Sequence, residues 1–183
     1  MHTIQVKDKT FIPYLSEQEI QEAVTRIGQE INKNYDGLQP LFIGILNGAF
    51  MFAADLFKII HIDAEISFIK LVSYKGTRST GNVITSVGLD ESVKGRHIII
   101  IEDIVDTGKT LHSFLPQLID QQPASLKIAS LLYKPDASIH PIKPDYIGFS
   151  IPNKFVLGYG LDYDELGRNL KDLYQLEEGR INE

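Results

Sequence analysis

The chain contains no cysteine. That absence excludes a disulfide framework, thiolate zinc or iron–sulfur sites, and a cysteine nucleophile. Positive charge is not in excess either: 18 Lys and Arg against 24 Asp and Glu leave a net charge of −6, with an isoelectric point near 5.4. Such a chain lacks the electrostatic footprint of a general nucleic-acid or membrane-surface binder, although a local basic pocket is still allowed. Long apolar runs are missing as well. The longest, residues 41–54, is interrupted by Asn47 and two glycines, too short and too broken to span a bilayer. No repeat, low-complexity tract or linker is visible, and the first eight residues hold no apolar region of a secretory signal. The expectation is one soluble cytoplasmic domain over residues 1–183, large enough to bury a real core.

What is present alternates in type. Ser16-Glu17-Gln18-Glu19 is a capping-box pattern, and Ile20, Val24, Ile27 and Ile31 follow at helical spacing, which predicts an amphipathic helix over 17–34. Residues 41–46, Leu-Phe-Ile-Gly-Ile-Leu, form an unbroken apolar run of strand length, expected where a parallel sheet is covered on both faces. Residues 49–60 read as a helix, and Ile62, Ala64, Ile66 and Phe68 alternate as a half-buried strand. Residues 73–82 are polar, contain glycine, and read as a mobile loop. A strand over 97–101 ends in Glu102-Asp103. A helix over 109–121 should be kinked or shortened by Pro116. Strands over 126–133 and 146–151 complete the series. This order predicts a three-layer α/β fold whose mostly parallel sheet is flanked by helices.

The segment 98–110, Ile-Ile-Ile-Ile-Glu-Asp-Ile-Val-Asp-Thr-Gly-Lys-Thr, carries the chemistry. It is a buried strand, two carboxylates at its C-terminal end, a turn, and a glycine at the mouth of a helix. Ligands of open α/β sheets bind beyond the carboxyl ends of the strands. Free N–H groups at a helix start suit a phosphate. Carboxylates beside a phosphate suit hydroxyl groups, a magnesium ion, or a proton to be abstracted. Together these features describe a phosphorylated sugar. The Walker P-loop does not fit, because it needs glycine where this chain has Asp103.

This acid-acid-x-x-Asp-Thr-Gly-x-Thr loop resembles the phosphoribosyl-diphosphate loop of type I phosphoribosyltransferases. Residues 45–56, Ser73-Tyr74, 129–134 (Ala-Ser-Leu-Leu-Tyr-Lys) and 144–163 run in the order of that family's hypoxanthine–guanine branch. The resemblance covers about residues 12 to 177. It implies a small hood over the active site, formed by the N-terminal segment and residues after about 145. It also implies transfer of 5-phosphoribose from phosphoribosyl diphosphate to a 6-oxopurine, with Mg2+ as cofactor, in a homo-oligomer (dimer or tetramer). Under it, Asp106, Thr107, Gly108, Lys109 and Thr110 cradle the 5′-phosphate, while Glu102 and Asp103 hold the ribose hydroxyls and lie toward the metal. Asp106 is the general base for the purine N7 proton. Lys134 bonds O6, Phe155 stacks on the base, and the Val156 backbone reads its N1/C2 edge. Asp162 ligates magnesium and Arg168 binds pyrophosphate, which the turn Leu46-Asn47-Gly48 also contacts, often through a cis peptide in this family. Ser73 and Tyr74 lie on a loop that closes over the site.

Two positions depart from the pattern. Asn47 stands where many relatives carry lysine or arginine, and Val72 where some carry lysine, so a positive charge toward pyrophosphate is missing. Blander readings accompany each assignment: Lys134 as a surface lysine, Phe155 as core, Asp162 and Arg168 as a surface ion pair, Ser73-Tyr74 as an ordinary loop. His61, Asp63 and Glu65 could pass for a metal triplet, but a solvent face explains them better. The five histidines show no zinc spacing. Two other functions compete: a regulatory nucleotide- or RNA-binding protein on this fold, and a phosphoribosyltransferase for xanthine. Adenine presents a donor where Lys134 would present another, so it should be rejected.

Overall fold

The computed structural model describes residues 2–73, 83–87 and 92–177, with only the backbone described at 72–73 and 83–87. The chain opens with a hairpin of β1 (Ile4–Val6) and β2 (Lys9–Leu15), Ile4 opposite Phe11. Helix α1 (Glu17–Asn34) starts where the capping box predicts. Ser16 Oγ accepts from the Glu19 N–H at 3.3 Å, and the Glu19 carboxylate accepts from the Ser16 N–H at 2.8 Å. Its stripe of Ile20, Val24, Ile27 and Ile31 is fully buried, each side chain contributing roughly 1.5–3 kcal/mol.

Strand β3 (Leu41–Leu46) follows, then α2 (Phe50–Ile59), β4 (Glu65–Ser73) and β5 (Val83–Val87). After these come β6 (His97–Val105), α3 (Lys109–Ile119), β7 (Ser125–Tyr133) and β8 (Tyr146–Ser150). Among the described residues they build a six-stranded sheet of order β5-β4-β3-β6-β7-β8, parallel except for the antiparallel edge strand β5. Successive side chains of a strand point to opposite faces, and the core divides accordingly. Phe42, Ile99 and Ile101 pack with α1 and α2 on one face. Leu41, Ile43, Ile45, Ile98 and Ile100 pack with Leu111, Phe114 and Leu118 of α3 on the other. The three-layer expectation is met.

Three elements depart from the periodicity reading by more than one residue. β6 runs on to Val105, because Ile104 and Val105 still pair with Leu132 and Tyr133 of β7. The two acids therefore sit inside the strand end. β4 begins at Glu65 and reaches Ser73, held by β3 on one side and β5 on the other. Helix α3 runs through Pro116 and stops at Ile119, two residues short of the expected end.

The second sheet adds β9 (Val156–Leu157) and β10 (Leu173–Leu176), in the order β1-β2-β10-β9, all antiparallel. Its small core is Phe11, Leu157 and Tyr174. Tyr146–Ser150 still belongs to the central sheet, so after β2 the chain returns to the second sheet only at Val156. Among the described residues no helix is long and apolar enough to cross a membrane.

Candidate active site

Strand order sets the place. From β3 the chain moves outward to β4 over α2, and from β6 it moves the opposite way to β7 over α3. The crevice between the C-terminal ends of β3 and β6 is thus the topological switch point of the sheet, where ligands of open α/β folds bind. Both ends carry residues singled out from sequence: the turn 46–48 after β3, and 102–110 on β6 and its turn.

Residues 102–111 line a continuous pocket of about 270 Å³. Gly108 closes it as the N-terminal cap of α3 with φ 73°, a left-handed conformation that glycine adopts freely. A Cβ there would also come within 3.3 Å of the His140 carbonyl. The Thr107 carbonyl is drawn outward by the N–H groups of Ile139 and His140, at 3.1 and 3.2 Å. The Thr107 hydroxyl accepts from the Lys109 N–H at 3.3 Å. What the turn offers inward is therefore the N–H groups of the first helical turn, an anion seat.

The acids behind it are costly to ionise. Glu102 is buried, and burial followed by the Asp103 charge holds its carboxyl well above the usual range. Burial pushes Asp103 up to about 6, against the N–H of Ile104 at 2.9 Å and the positive charge of Arg168. Sequence alone leaves Lys134 as a candidate surface lysine, yet it is 6% exposed, with its Nζ 3.0 Å from Asp106 Oδ2. Its backbone N–H donates to the Val105 carbonyl at 2.9 Å, which locks β7 to the turn.

The wall opposite comes from the second sheet and the loop between β9 and β10. Phe155 is half-exposed, with Phe11 and Tyr163 tilted or edge-on to its ring at 6.2 and 5.9 Å. Val156 is buried on β9, the outer strand of that sheet. Asp162 Oδ1 pairs with Arg168 Nη2 at 2.7 Å, and its other oxygen accepts from the Glu165 N–H at 2.8 Å. Arg168 Nη1 also donates to the Gly160 carbonyl at 2.8 Å. These two residues are indeed an ion pair, but a half-buried one whose charges are felt by Asp103.

The β3 turn meets this loop. The Leu46–Asn47 peptide is cis. A Cβ on Gly48 would fall onto the Asp103 carboxylate, and one on Gly160 would fall onto the Gly48 carbonyl. Both glycines are needed for this approach. The Asn47 side chain is exposed.

The switch point thus gathers Glu102, Asp103, Asp106, the Gly48 turn, Asp162, Arg168 and Lys134. Phe155 and Val156 do not line the 102–111 pocket; Val156 stands in β9 of the second sheet and Phe155 just before it. Tyr74 and residues 75–82 lie outside the described residues, and of Ser73 only the backbone is described, as the last residue of β4. The same holds for the Val72 side chain. His61, Asp63 and Glu65 are exposed, and Glu65 is taken up by Arg96 at 2.8 Å. Among the described residues no three acidic or histidine side chains converge to cage a metal. Sequence reading assigned no role to Tyr159 or Asp55. The signal available was Gly158-Tyr159-Gly160, two glycines flanking an aromatic.

Comparison with known proteins agrees with this geometry. The phosphoribosyl transferase domain matches residues 14–164. The hypoxanthine-guanine phosphoribosyltransferase of Lactococcus lactis is 48% identical over 157 residues, covering 85% of each chain. That of Bacillus subtilis is 48% identical over 158 residues, 85% of this chain and 87% of its own. The crystal structure of a hypoxanthine phosphoribosyltransferase from Staphylococcus aureus superposes with a TM-score of 0.86 at 40% identity, over 90% of each chain.

Proposed function

The chain belongs to the phosphoribosyl transferase domain family, and from that premise we propose how its residues divide the work of the reaction. The protein is a purine salvage enzyme that transfers 5-phosphoribose from phosphoribosyl diphosphate to N9 of hypoxanthine or guanine, giving IMP or GMP plus pyrophosphate. The relatives lend no support to a regulatory binder or to a xanthine enzyme.

In this reading the 5′-phosphate sits on the N–H groups of 107–110, and the ribose hydroxyls lie against Glu102 and Asp103. The observation that carries the reading is the pair Lys134–Asp106, 3.0 Å apart at the mouth of that pocket. A lysine ammonium has three donors. One can pass to O6 of a 6-oxopurine while Asp106, 42% exposed, turns to the N7 proton. Taking that proton makes N9 nucleophilic, worth about 10²–10⁴ in rate. Phe155 presents a half-exposed ring for the base, and the outer edge of β9 at Val156 presents backbone groups for N1 and C2.

The leaving group falls to Arg168 and the turn Leu46-Asn47-Gly48. The residues fit a magnesium ion only as a companion of substrate oxygens. Asp162, with Glu102 and Asp103 through the ribose hydroxyls, would hold it, since magnesium commonly uses one or two carboxylates plus phosphates. When bound, it neutralises charge developing on pyrophosphate. Closure by the segment with Ser73 and Tyr74 would exclude water from an easily hydrolysed ribosyl centre. A highly charged donor such as phosphoribosyl diphosphate stays in the compartment where it is made, which supports a cytoplasmic location. We further take the enzyme as a homo-oligomer, a dimer or tetramer, acting on small molecules with no nucleic-acid or membrane partner.

The test is kcat/KM for hypoxanthine, guanine, xanthine and adenine, run beside Asp106→Asn. The native enzyme should prefer the first two. Asp106→Asn should fold and lose about 10²-fold or more in kcat with little change in phosphoribosyl-diphosphate KM. A variant with native kcat at saturation would remove Asp106 from the mechanism.

A further inference from the structure

Three consecutive residues of the β9–β10 loop have positive φ: Gly158 at 106°, Tyr159 at 46° and Gly160 at 99°. For glycine this is free; for tyrosine the Cβ makes it sterically costly. Something must hold Tyr159 there. Its side chain leaves the hood loop and plunges into the main core, where it is 1% exposed among residues of α1 and α2. At the bottom its hydroxyl donates to Asp55 Oδ2 of α2 at 2.7 Å. Gln21 of α1 donates to the same oxygen at 2.8 Å, and Lys58 reaches the other at 2.8 Å. Burial, then the Asp55 carboxylate, holds the phenol above the usual tyrosine range, so it remains a donor.

The backbone around this peg builds the wall opposite the β3 turn. The Tyr159 N–H donates to the Leu170 carbonyl at 2.8 Å, and the Gly160 N–H to the Arg168 carbonyl at 2.9 Å. The Gly160 carbonyl in turn accepts from Arg168 Nη1. Gly160 also abuts the Gly48 carbonyl with no room for a Cβ. The turn 46–48 leads directly into α2, the helix that carries Asp55. One short helix therefore holds both walls, the turn at its start and the loop through Asp55.

We propose that Tyr159 is a positioning residue: bonded to Asp55, it sets the height of the Arg168-bearing loop over the Asn47-Gly48 turn and so tunes affinity for the diphosphate end of substrate and for pyrophosphate. The proposal rests on the pyrophosphate role given above to Arg168 and that turn. Because the Tyr159 side chain is buried in the core and does not line the 102–111 pocket, its loss should appear in diphosphate binding and spare the chemical step. A hydroxyl that merely satisfies burial would change thermal stability alone.

The experiment measures kcat, both KM values, pyrophosphate product inhibition and melting temperature for four proteins: native, Tyr159→Phe, Asp55→Ala and Asp55→Asn. Tyr159→Phe and Asp55→Ala should each raise phosphoribosyl-diphosphate KM and the pyrophosphate inhibition constant about three- to tenfold. Their kcat and hypoxanthine KM should stay within about twofold of native. Asp55→Asn keeps an acceptor for the phenol and should recover most of the loss. A folded Tyr159→Phe with a native pyrophosphate constant overturns the proposal. Should Tyr159→Phe fail to fold, the Asp55 pair decides, and equal constants in Ala and Asn overturn it. Native protein that turns over hypoxanthine without being inhibited by pyrophosphate would sink the reading of the leaving-group site itself, a separate failure visible before any variant is made.

Discussion

Lys134 and Asp106 are 28 positions apart, and nothing in the local pattern of either announces a contact; β7 brings them to 3.0 Å. From sequence each could be named only because it sat in a family-like segment. The burial of Lys134 and its pairing with Asp106 come from the parallel register of β6 and β7, which no periodicity encodes. Lys134→Ala should cost roughly 1–3 kcal/mol in kcat/KM for 6-oxopurines, through a lost charge-assisted bond to O6. Hypoxanthine should lose far more than unsubstituted purine under the same assay. Equal losses would mean that the lysine acts through Asp106 and not on O6. Asp103 poses the opposite trade. The unfolded chain releases this proton near 3.8 and the folded chain at about 6. The folded state therefore binds more protons in that window, so its stability falls as pH rises from about 4 to 6, and the penalty is complete above 6. Asp103→Asn keeps the oxygen that accepts from the Ile104 N–H and removes the charge. With EDTA present and no ligand, urea unfolding should show the variant about 1–2 kcal/mol more stable than native at pH 7.5. At pH 4 the two should nearly coincide. A variant no more stable at pH 7.5 would show that solvent or Arg168 already relieves the carboxylate.

Elements were legible where one hydrophobic period ran long enough. α1 matches from Glu17 to Asn34 because cap and stripe agree, and β3 matches because both its faces are buried. β6 was read short because its last residues, Glu102 to Val105, serve the pocket and break the apolar run, while pairing with β7 continues. The hood strands β9 and β10 escaped notice for a different reason: β9 has two residues and β10 four, too few to show a period, and the strand that ties β10 into the sheet, β2, lies at the other end of the chain. The β3–α2 connection is where the family departure falls, and it bears a test. Helix α2 starts with neither an acid nor a base in its first turn, and Asn47 is exposed just before it. Asn47→Lys would add an ammonium beside the proposed diphosphate seat. Pyrophosphate inhibition should tighten by roughly threefold to thirtyfold, about 0.7–2 kcal/mol. The gain should shrink as ionic strength rises, if the ammonium stays at the surface. Product release should slow with it. The Asp103 carboxylate fits against Gly48 and competes for the same ammonium. Unchanged inhibition at two salt concentrations and matched magnesium would assign the new charge to Asp103, leaving the turn to act through its backbone alone.

At the scale of the whole molecule the active site is a seam. The phosphate turn and the acids belong to the central sheet; Val156, with Phe155 just before it, belongs to the four-stranded sheet assembled from both ends of the chain. Gly160 against Gly48, and Tyr159 within the main core, hold the two together. Under the proposed assignment of residues a nucleotide product would span that seam, with its phosphate on one side and its base on the other, whereas ribose 5-phosphate would engage one side only. Ligands that bind the folded state stabilise it by mass action, about 2.7 kcal/mol at a hundredfold excess over Kd. In a chain of this size each kcal/mol moves the melting temperature by about 2–4 °C. GMP at that excess should therefore raise it by about 5–10 °C, and ribose 5-phosphate at the same concentration by much less. Base–aromatic stacking is worth about 1–3 kcal/mol, so Phe155→Ala should weaken GMP about fivefold or more and remove at least about 2 °C of its shift at unchanged concentration. The same variant should leave the ribose 5-phosphate shift unaltered, since under the proposed assignment that ligand would not reach the second sheet. Thermal melts of both proteins with both ligands separate the cases. A Phe155→Ala protein that keeps the full GMP shift would show that the base is seated elsewhere than on this ring, and that the second sheet contributes a cover and not a binding surface.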